Sequence, residues 1–418
     1  MANEQTVLDR KKNGGVKKPY DFPSWTLFLA VCAVGIGGTF QYGYNVSIIN
    51  APTQHIHRFL NETWISRYRM ELSPDLLTFL WSVIASIFSL GGLCGALIGG
   101  SMAIRLGRKG ALLMNNIIAI LAAVLMGISF PTGLFELLIV GRFLIGINSA
   151  LKRFHGSLQY QREMEDIQQE CFALDGEKPR KPWQLFTDRG VRWQLITVIV
   201  MTMGQQLSGI NAIYFYATYI FEQAGISAEK IPYVTLGTGA CECLTALTCG
   251  LLIDYVGRRY LIIGGYLLMI LWSIVLTFSL TYQELYSWVP YVSMTSIFAF
   301  ILSFGLGPGG ITNTLTAELF IQSSRPAAYM IGGTISWISF FTIGMLFPFI
   351  VKGLKQYCFL VFLLECSLVA AFIFLVIPET KNKSFLEIKK EFHKLNFGGK
   401  NKEKETELYE RRQLHDEF

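Results

Sequence analysis

Leu134-Phe-Glu-Leu-Leu-Ile-Val-Gly-Arg-Phe-Leu-Ile-Gly-Ile-Asn-Ser-Ala150 is an apolar run that passes directly into the charged Leu151-Lys-Arg-Phe-His155. It offers about 18 residues for a membrane helix that needs roughly 20, so it reads as a marginal span. The stretch 152–192 beyond it is of a different composition. Arg162-Glu-Met-Glu-Asp-Ile-Gln-Gln-Glu170 is helix-forming and rich in acidic and amide side chains, and Gly176-Glu-Lys-Pro-Arg-Lys-Pro182 follows. The junction near residue 150 therefore divides the chain.

Outward from that junction, four apolar spans are predicted before it, near 25–46, 78–102, 111–131 and 134–151. Six follow it, near 193–221, 232–253, 260–281, 288–317, 327–351 and 356–377. The 418 residues are 52% hydrophobic and 16% charged, against about 25% charged in soluble domains. The reading is an all-α integral membrane protein with an N-terminal segment 1–24, a first bundle 25–151, linker helices 152–192, a second bundle 193–378 and a tail 379–418. Residues 1–20 are polar and the first span lacks a small-residue cleavage pattern, so no cleaved signal peptide is expected.

Lys and Arg collect on the cytosolic side of membrane proteins. Here one side gathers the N-terminal lysines, Arg105, Arg108, Lys109, the 151–192 stretch, Arg258, Arg259, Arg325 and the tail, which places both termini in the cytosol; Arg58, Arg67 and Arg69 run against the trend. The net charge of +6 is spread over short loops, so nucleic acid is not an expected partner; the lipid bilayer is. Asn61-Glu-Thr63 falls in the predicted outer loop, where it can accept a glycan. Cys32, Cys94, Cys249 and Cys366 lie inside spans, and Cys241 and Cys243 point in different directions on a helix, which suits packing rather than a metal.

An internal echo crosses the divider. Arg105-Leu-Gly-Arg-Lys109 follows the second span, and Asp254-Tyr-Val-Gly-Arg-Arg259 follows the second span of the later half. A matched motif at the same topological place marks a parallel duplication of the major facilitator kind. Further motifs carry a more specific resemblance: Phe40-Gln-Tyr-Gly-Tyr-Asn45 with Asn50-Ala-Pro52, Gln205-Gln-Leu-Ser-Gly-Ile-Asn211, Ala317-Glu-Leu-Phe320 with Arg325-Pro-Ala-Ala328, and Pro378-Glu-Thr-Lys381. Together these resemble the facilitative sugar transporters of solute carrier family 2. The resemblance implies a major facilitator fold with six spans per half. This chain departs from it by lacking part of the fourth span and all of the fifth and sixth, so the first bundle is truncated. An even number of missing spans preserves the inside/outside parity of the second bundle.

The resemblance implies the site residues. A hexose needs neutral donors and acceptors near the bilayer midplane, and Gln205, Gln206 and Asn211 would supply them; amides also serve as glue between membrane helices. On an ideal helix Gln206 and Asn211 diverge by about 140°, so a break at Ser208-Gly209 would be needed to turn both inward. Ser336 and Trp337 would add a hydroxyl and a stacking face. Asn313 stands where glucose-preferring members carry Trp. Tyr42 and Asn45 are implied as pocket or gate residues, and Asn45 replaces the carboxylate of proton-coupled relatives. Glu242 stands where many relatives have Asn. Glu365 and Arg142 are further ionisable residues inside spans, each costing about 2.5–3.5 kcal/mol on insertion scales; Glu365 has no evident role in the sequence. The glycines of Gly305-Leu-Gly-Pro-Gly-Gly310 would bend the tenth span of the family scheme as a gate, or let helices pack closely.

A cytosolic latch is implied as well, with Arg258 and Arg259 pairing with Glu318, and Arg325 and Glu379 nearby; the alternative is a set of solvated helix-end charges. Arg108 and Lys109 have lost their acidic partners with the missing spans, and Ile104 stands where a general facilitator motif has Asp, so the first bundle's latch looks broken. With no nucleotide loop, metal cluster or catalytic triad, no cofactor is expected and the chain does not read as an enzyme. The implied function is uniport of hexose, glucose and/or fructose, across the plasma membrane by alternating access. The rival is a non-transporting truncated isoform that is degraded or associates with and regulates intact copies.

Overall fold

The computed structural model describes residues 40–50, 52–155, 180–227, 229–282, 285–321, 323–381, 383 and 385–397. Most of the first predicted span, most of the charged linker and the end of the tail lie outside these residues. In chain order the helices are α1 (Gln41–Ser47), α2 (Thr53–Tyr68), α3 (Pro74–Thr132), α4 (Phe135–His155), α5 (Pro182–Thr187), α6 (Arg192–Leu207), α7 (Ile210–Phe215) and α8 (Ala217–Gln223). They continue with α9 (Ile231–Val256), α10 (Arg258–Tyr282), α11 (Val289–Phe304), a π turn (Gly305–Gly309), α12 (Gly310–Leu319), α13 (Arg325–Leu354), α14 (Cys358–Val376) and α15 (Phe385–Phe397). Seven helical stretches among the described residues are long and apolar enough to cross a membrane. The last of them, Arg325–Val376, holds two of the predicted spans, while α4 matches the predicted marginal span.

The second and third predicted spans form one continuous helical trace, α3, yet α3 cannot be straight. Gly146 of α4 lies so close to Phe88 that a Cβ would come within 2.0 Å of its carbonyl oxygen. Two residues on, Asn148 donates to the Asn115 carbonyl at 2.7 Å and accepts at its own carbonyl from Asn115 at 3.1 Å. Along a straight helix residues 88 and 115 would stand about 40 Å apart. The trace therefore doubles back between Gly95 and Asn115, and α4 packs against both arms. Gly91 and Gly95 meet the α4 backbone at Phe143 and Ile147, the close approach that small residues permit in membrane bundles.

Arg142 of α4 is 2% exposed, and its guanidinium is met by carbonyl oxygens. It donates to Asn45 at 2.7 Å and to Ile84 at 3.4 Å, and lies 5.1 Å over the Phe88 ring. These contacts offset the cost of a cation within a span. Arg67, an outlier to the charge trend, pairs with Glu136 at the start of α4 and donates to the Gly133 carbonyl.

Among the described residues the two bundles meet most broadly between α13 and the first arm of α3, with a smaller contact between α7 and α1. Trp337 lies against Gly92, where a Cβ would stand 2.3 Å from the indole ring, and Gly344 lies against Ser86. At the outer end of the seam Lys352 pairs with Asp75. On the opposite flank α9 packs on α8, α10, α11, α12 and the π turn, all of its own bundle. Only Ile231, Thr238, Thr245 and Cys249 of α9 are buried.

The second bundle ties its own ends together. Asn396 of α15 accepts from the Trp193 backbone N–H at 2.9 Å and donates to the Gly190 carbonyl at 2.7 Å, just ahead of α6.

Candidate functional site

The site grows from an interruption. Helix α6 ends at Leu207, Ser208 caps it, and Gly209 takes φ +99° before α7 begins at Ile210. Only glycine enters that conformation freely, and a Cβ there would also stand 2.7 Å from the Phe362 ring. The break removes the divergence of an unbroken helix. Asn211 Nδ2 donates to the Gln206 carbonyl at 2.8 Å and to Gln206 Oε1 at 2.7 Å, and Gln206 Nε2 donates to Ser336 Oγ at 2.8 Å. Three uncharged side chains from α6, α7 and α13 thus form one network. Gln205 turns elsewhere, donating to the Gly309 carbonyl of the π turn at 3.3 Å.

The π turn itself combines two expected roles. Pro308 lacks an amide hydrogen and disturbs the ladder, while Gly307 packs so tightly on Gly265 that a Cβ would lie 2.7 Å from its Cα. Bend and close packing occur in the same five residues.

Tyr214, which the sequence reading passed over, stands three residues beyond Asn211 and so on the same face of α7. Its buried hydroxyl interacts with the Glu242 carboxylate of α9, and Glu242 is exposed. The signal available in the sequence was this three-residue spacing after the Gln-Gln-Leu-Ser-Gly-Ile-Asn motif. Trp337 is only 6% exposed. Its ring packs at the seam beside Ser336, 6.2 Å from Phe88 and 6.1 Å from Phe340 by ring centroids. Asn313 is exposed on α12, and its backbone carbonyl accepts from the Tyr329 hydroxyl at 2.9 Å. Asn45 is buried, and its carbonyl holds Arg142. The side chains of Tyr42, Arg108 and Lys109 lie outside the described residues. Asn61 sits within α2, where its Oδ1 accepts from the Leu72 amide at 3.3 Å.

The latch differs in detail from the expected pairing. Arg258 Nε meets Glu318 Oε1 at 3.0 Å, Arg259 donates to the Phe374 carbonyl at 2.6 Å, and Glu318 Oε2 accepts from Thr380 Oγ1 at 2.6 Å. Glu379 accepts from the backbone N–H groups of Arg258, Arg259, Thr380 and Lys381 at 2.9–3.1 Å. It is an anionic cap on the N-terminus of α10, where the helix dipole favours negative charge. The end of α14 presents a carbonyl within reach of Arg259. Arg325 opens α13.

The family model described as "Sugar (and other) transporter" matches residues 30–152 and 148–392, two pieces that meet at the junction near residue 150. The chain is 38% identical to human solute carrier family 2, facilitated glucose transporter member 11, over 89% of this chain and 94% of the relative. It is 39% identical to human member 9, over 89% and 86%, and 34% identical to mouse member 5, over 88% and 92%. The member 11 alignment runs 464 positions, more than the 418 residues of the chain, so it opens gaps within this sequence. In fold the chain is similar to a D-xylose–proton symporter, with TM-score 0.68 and 17% identity over 86% of this chain and 99% of the other. It is also similar to the proton:xylose symporter XylE bound to 6-bromo-6-deoxy-D-glucose, with TM-score 0.65 and 16% identity over 87% and 98%. A membrane-embedded helical architecture, its duplicated motif and these matches lead to one conclusion: the chain belongs to the sugar transporter family, among the facilitated glucose transporters of solute carrier family 2, built on the major facilitator fold.

Proposed function

We propose that the chain binds hexose, glucose and/or fructose, at the network of Gln206, Asn211 and Ser336, and that any movement of it across the membrane is downhill uniport. The observation that carries this reading is the Ser336–Gln206–Asn211 hydrogen-bond chain. Uncharged amides and a hydroxyl exchange hydrogen bonds with sugar hydroxyls without the desolvation cost of a buried charge. Asn45 supports uniport, because it offers no proton beside Arg142 where a carboxylate would.

A second reading, a non-transporting form, is favoured by how much of the bundle contact falls on α13 and α3 among the described residues. Alternating access rocks one bundle against the other around the site, and among the described residues the α9 flank has no first-bundle helix packed on it to the extent that α3 packs on α13. Both readings share the site. The glycan at Asn61, cytosolic termini, residence in the plasma membrane and association with intact copies belong to this proposal too.

The experiment separates binding from flux: equilibrium binding of radiolabelled glucose and fructose to purified protein, beside uptake into proteoliposomes. Saturable binding abolished by Gln206→Ala supports the site. Saturable uptake removes the non-transporting reading, and absence of saturable binding to either sugar removes the site.

A further inference from the structure

A cavity of about 370 Å³ lies away from the amide network, at the predicted outer end of the second bundle, where α8, α10, α13 and α14 converge. Its volume falls within the range that takes a small organic ligand. It shares no lining residue with the Gln206 network, and Lys352 on its rim stands roughly 24 Å along α13 from Ser336.

The lining divides by chemistry. Leu280, Phe347 and Phe359 form an apolar wall, and both phenyl rings are buried. Lys352, Lys355 and Gln223 are exposed and bring two cations and an amide to the mouth. Among the described residues no acid lines the cavity. Lys352 pairs with Asp75 of the first bundle, whereas Lys355 has no acid partner among the described residues. The backbone of Lys355 takes φ +49° and ψ −124°, a region that residues bearing a side chain enter rarely and that recurs where ligands are held.

A neutral ligand leaves the two ammonium groups unanswered. A bare inorganic anion leaves the apolar wall in contact with water. One class of molecule answers both. We propose that this cavity binds a compact organic anion, a carboxylate carried on one or two aromatic rings. The carboxylate lies between Lys352 and Lys355 and accepts from the Gln223 amide, and the rings pack on Phe347 and Phe359. Because Lys352 serves both the cavity and Asp75, the bound anion and the ion pair between the bundles compete for one ammonium group. Occupation therefore loosens the outer end of the seam. The site stands whether or not the Gln206 network binds hexose.

The test is equilibrium binding of labelled naphthoate to the full chain in phosphatidylcholine nanodiscs, with empty nanodiscs subtracted and neutral naphthamide as the comparison. Saturable binding of naphthoate but not of naphthamide is expected, and it weakens as salt rises. Lys355→Met and Lys355→Gly are each expected to weaken naphthoate about fivefold, while Lys355→Arg retains it; the glycine variant also relieves the backbone, so its loss reports the charge and not the fold. Asp75→Asn frees Lys352 and is expected to tighten naphthoate by about two- to fivefold, the scale of an exposed ion pair. A merely structural role for Asp75 would not produce tightening. Absence of saturable naphthoate binding, equal binding of naphthamide, or affinity unmoved by both Lys355→Gly and Asp75→Asn overturns the proposal. Displacement of naphthoate by palmitate at lower concentrations than unlabelled naphthoate requires would show a lipid acid as the occupant, and overturns it as well.

Discussion

Gln206 and Ser336 meet side chain to side chain, Nε2 to Oγ at 2.8 Å, across the boundary between α6 and α13. Ser336 immediately precedes Trp337, whose ring is wedged onto Gly92 of the first bundle. The polar network and the seam are therefore consecutive residues of one helix. A group that rearranges at Gln206 pulls on the only broad contact surface the two bundles share among the described residues.

Gln206→Ala removes the acceptor of Asn211 and the donor to Ser336 together. The expected result is a fall in hexose affinity of about tenfold or more, from two hydrogen bonds at about 1 kcal/mol each. Ser336→Ala, which removes one, is expected to cost less. Equilibrium binding of labelled glucose to the two variants checks the order.

Gly209→Ala combines a positive φ with a collision against Phe362. A left-handed residue carrying a Cβ costs of order 1–3 kcal/mol, and the ring must also move. The thermal unfolding midpoint of the detergent-solubilised protein is expected to drop, whereas Gly264→Ala, where a Cβ meets nothing, is expected to leave it within error.

Glu379→Gln preserves the shape of the α10 cap and removes its charge. Four backbone N–H groups now converge on the carboxylate, and charge-assisted bonds of this kind contribute about 1.5–3 kcal/mol. Easier proteolysis after Arg258 and Arg259 is expected, with a smaller change in Thr380→Val, which loses one bond to Glu318.

His57 lies in α2, outside the membrane spans, with its ring edge-on to Trp81 at 5.0 Å. Burial lowers its pKa below the ordinary value of 6.5, because burial disfavours the cation. The unfolded chain then binds the proton more readily than the folded one, so stability is complete above pH 6.5 and declines as pH falls below it. Thermal midpoints measured from pH 7.5 downward are expected to fall more steeply in the native chain than in His57→Gln.

Much of this was legible in the sequence. Apolar runs fixed the later helices, and Ser208-Gly209 announced the break because two amides could not otherwise face one another. What escaped has physical causes. The sequence shows the two arms of α3 as separate spans, 78–102 and 111–131, but not that the connection between them keeps helical geometry. Arg142 reads as a liability until its acceptors are known, and these are backbone carbonyls of Asn45 and Ile84, invisible to any side-chain pattern. Trp337 reads as a sugar platform, yet the glycine that accommodates it is 245 positions earlier in the chain and gives no local sign. Arg259 was expected on Glu318 by charge alone, and a nearer carbonyl won.

Asn396 reaches back to Gly190 and Trp193, so the later half begins and ends at the same place. A segment closed upon itself in this way carries its own boundary conditions. Sequence can change upstream of it without unravelling either end of the unit.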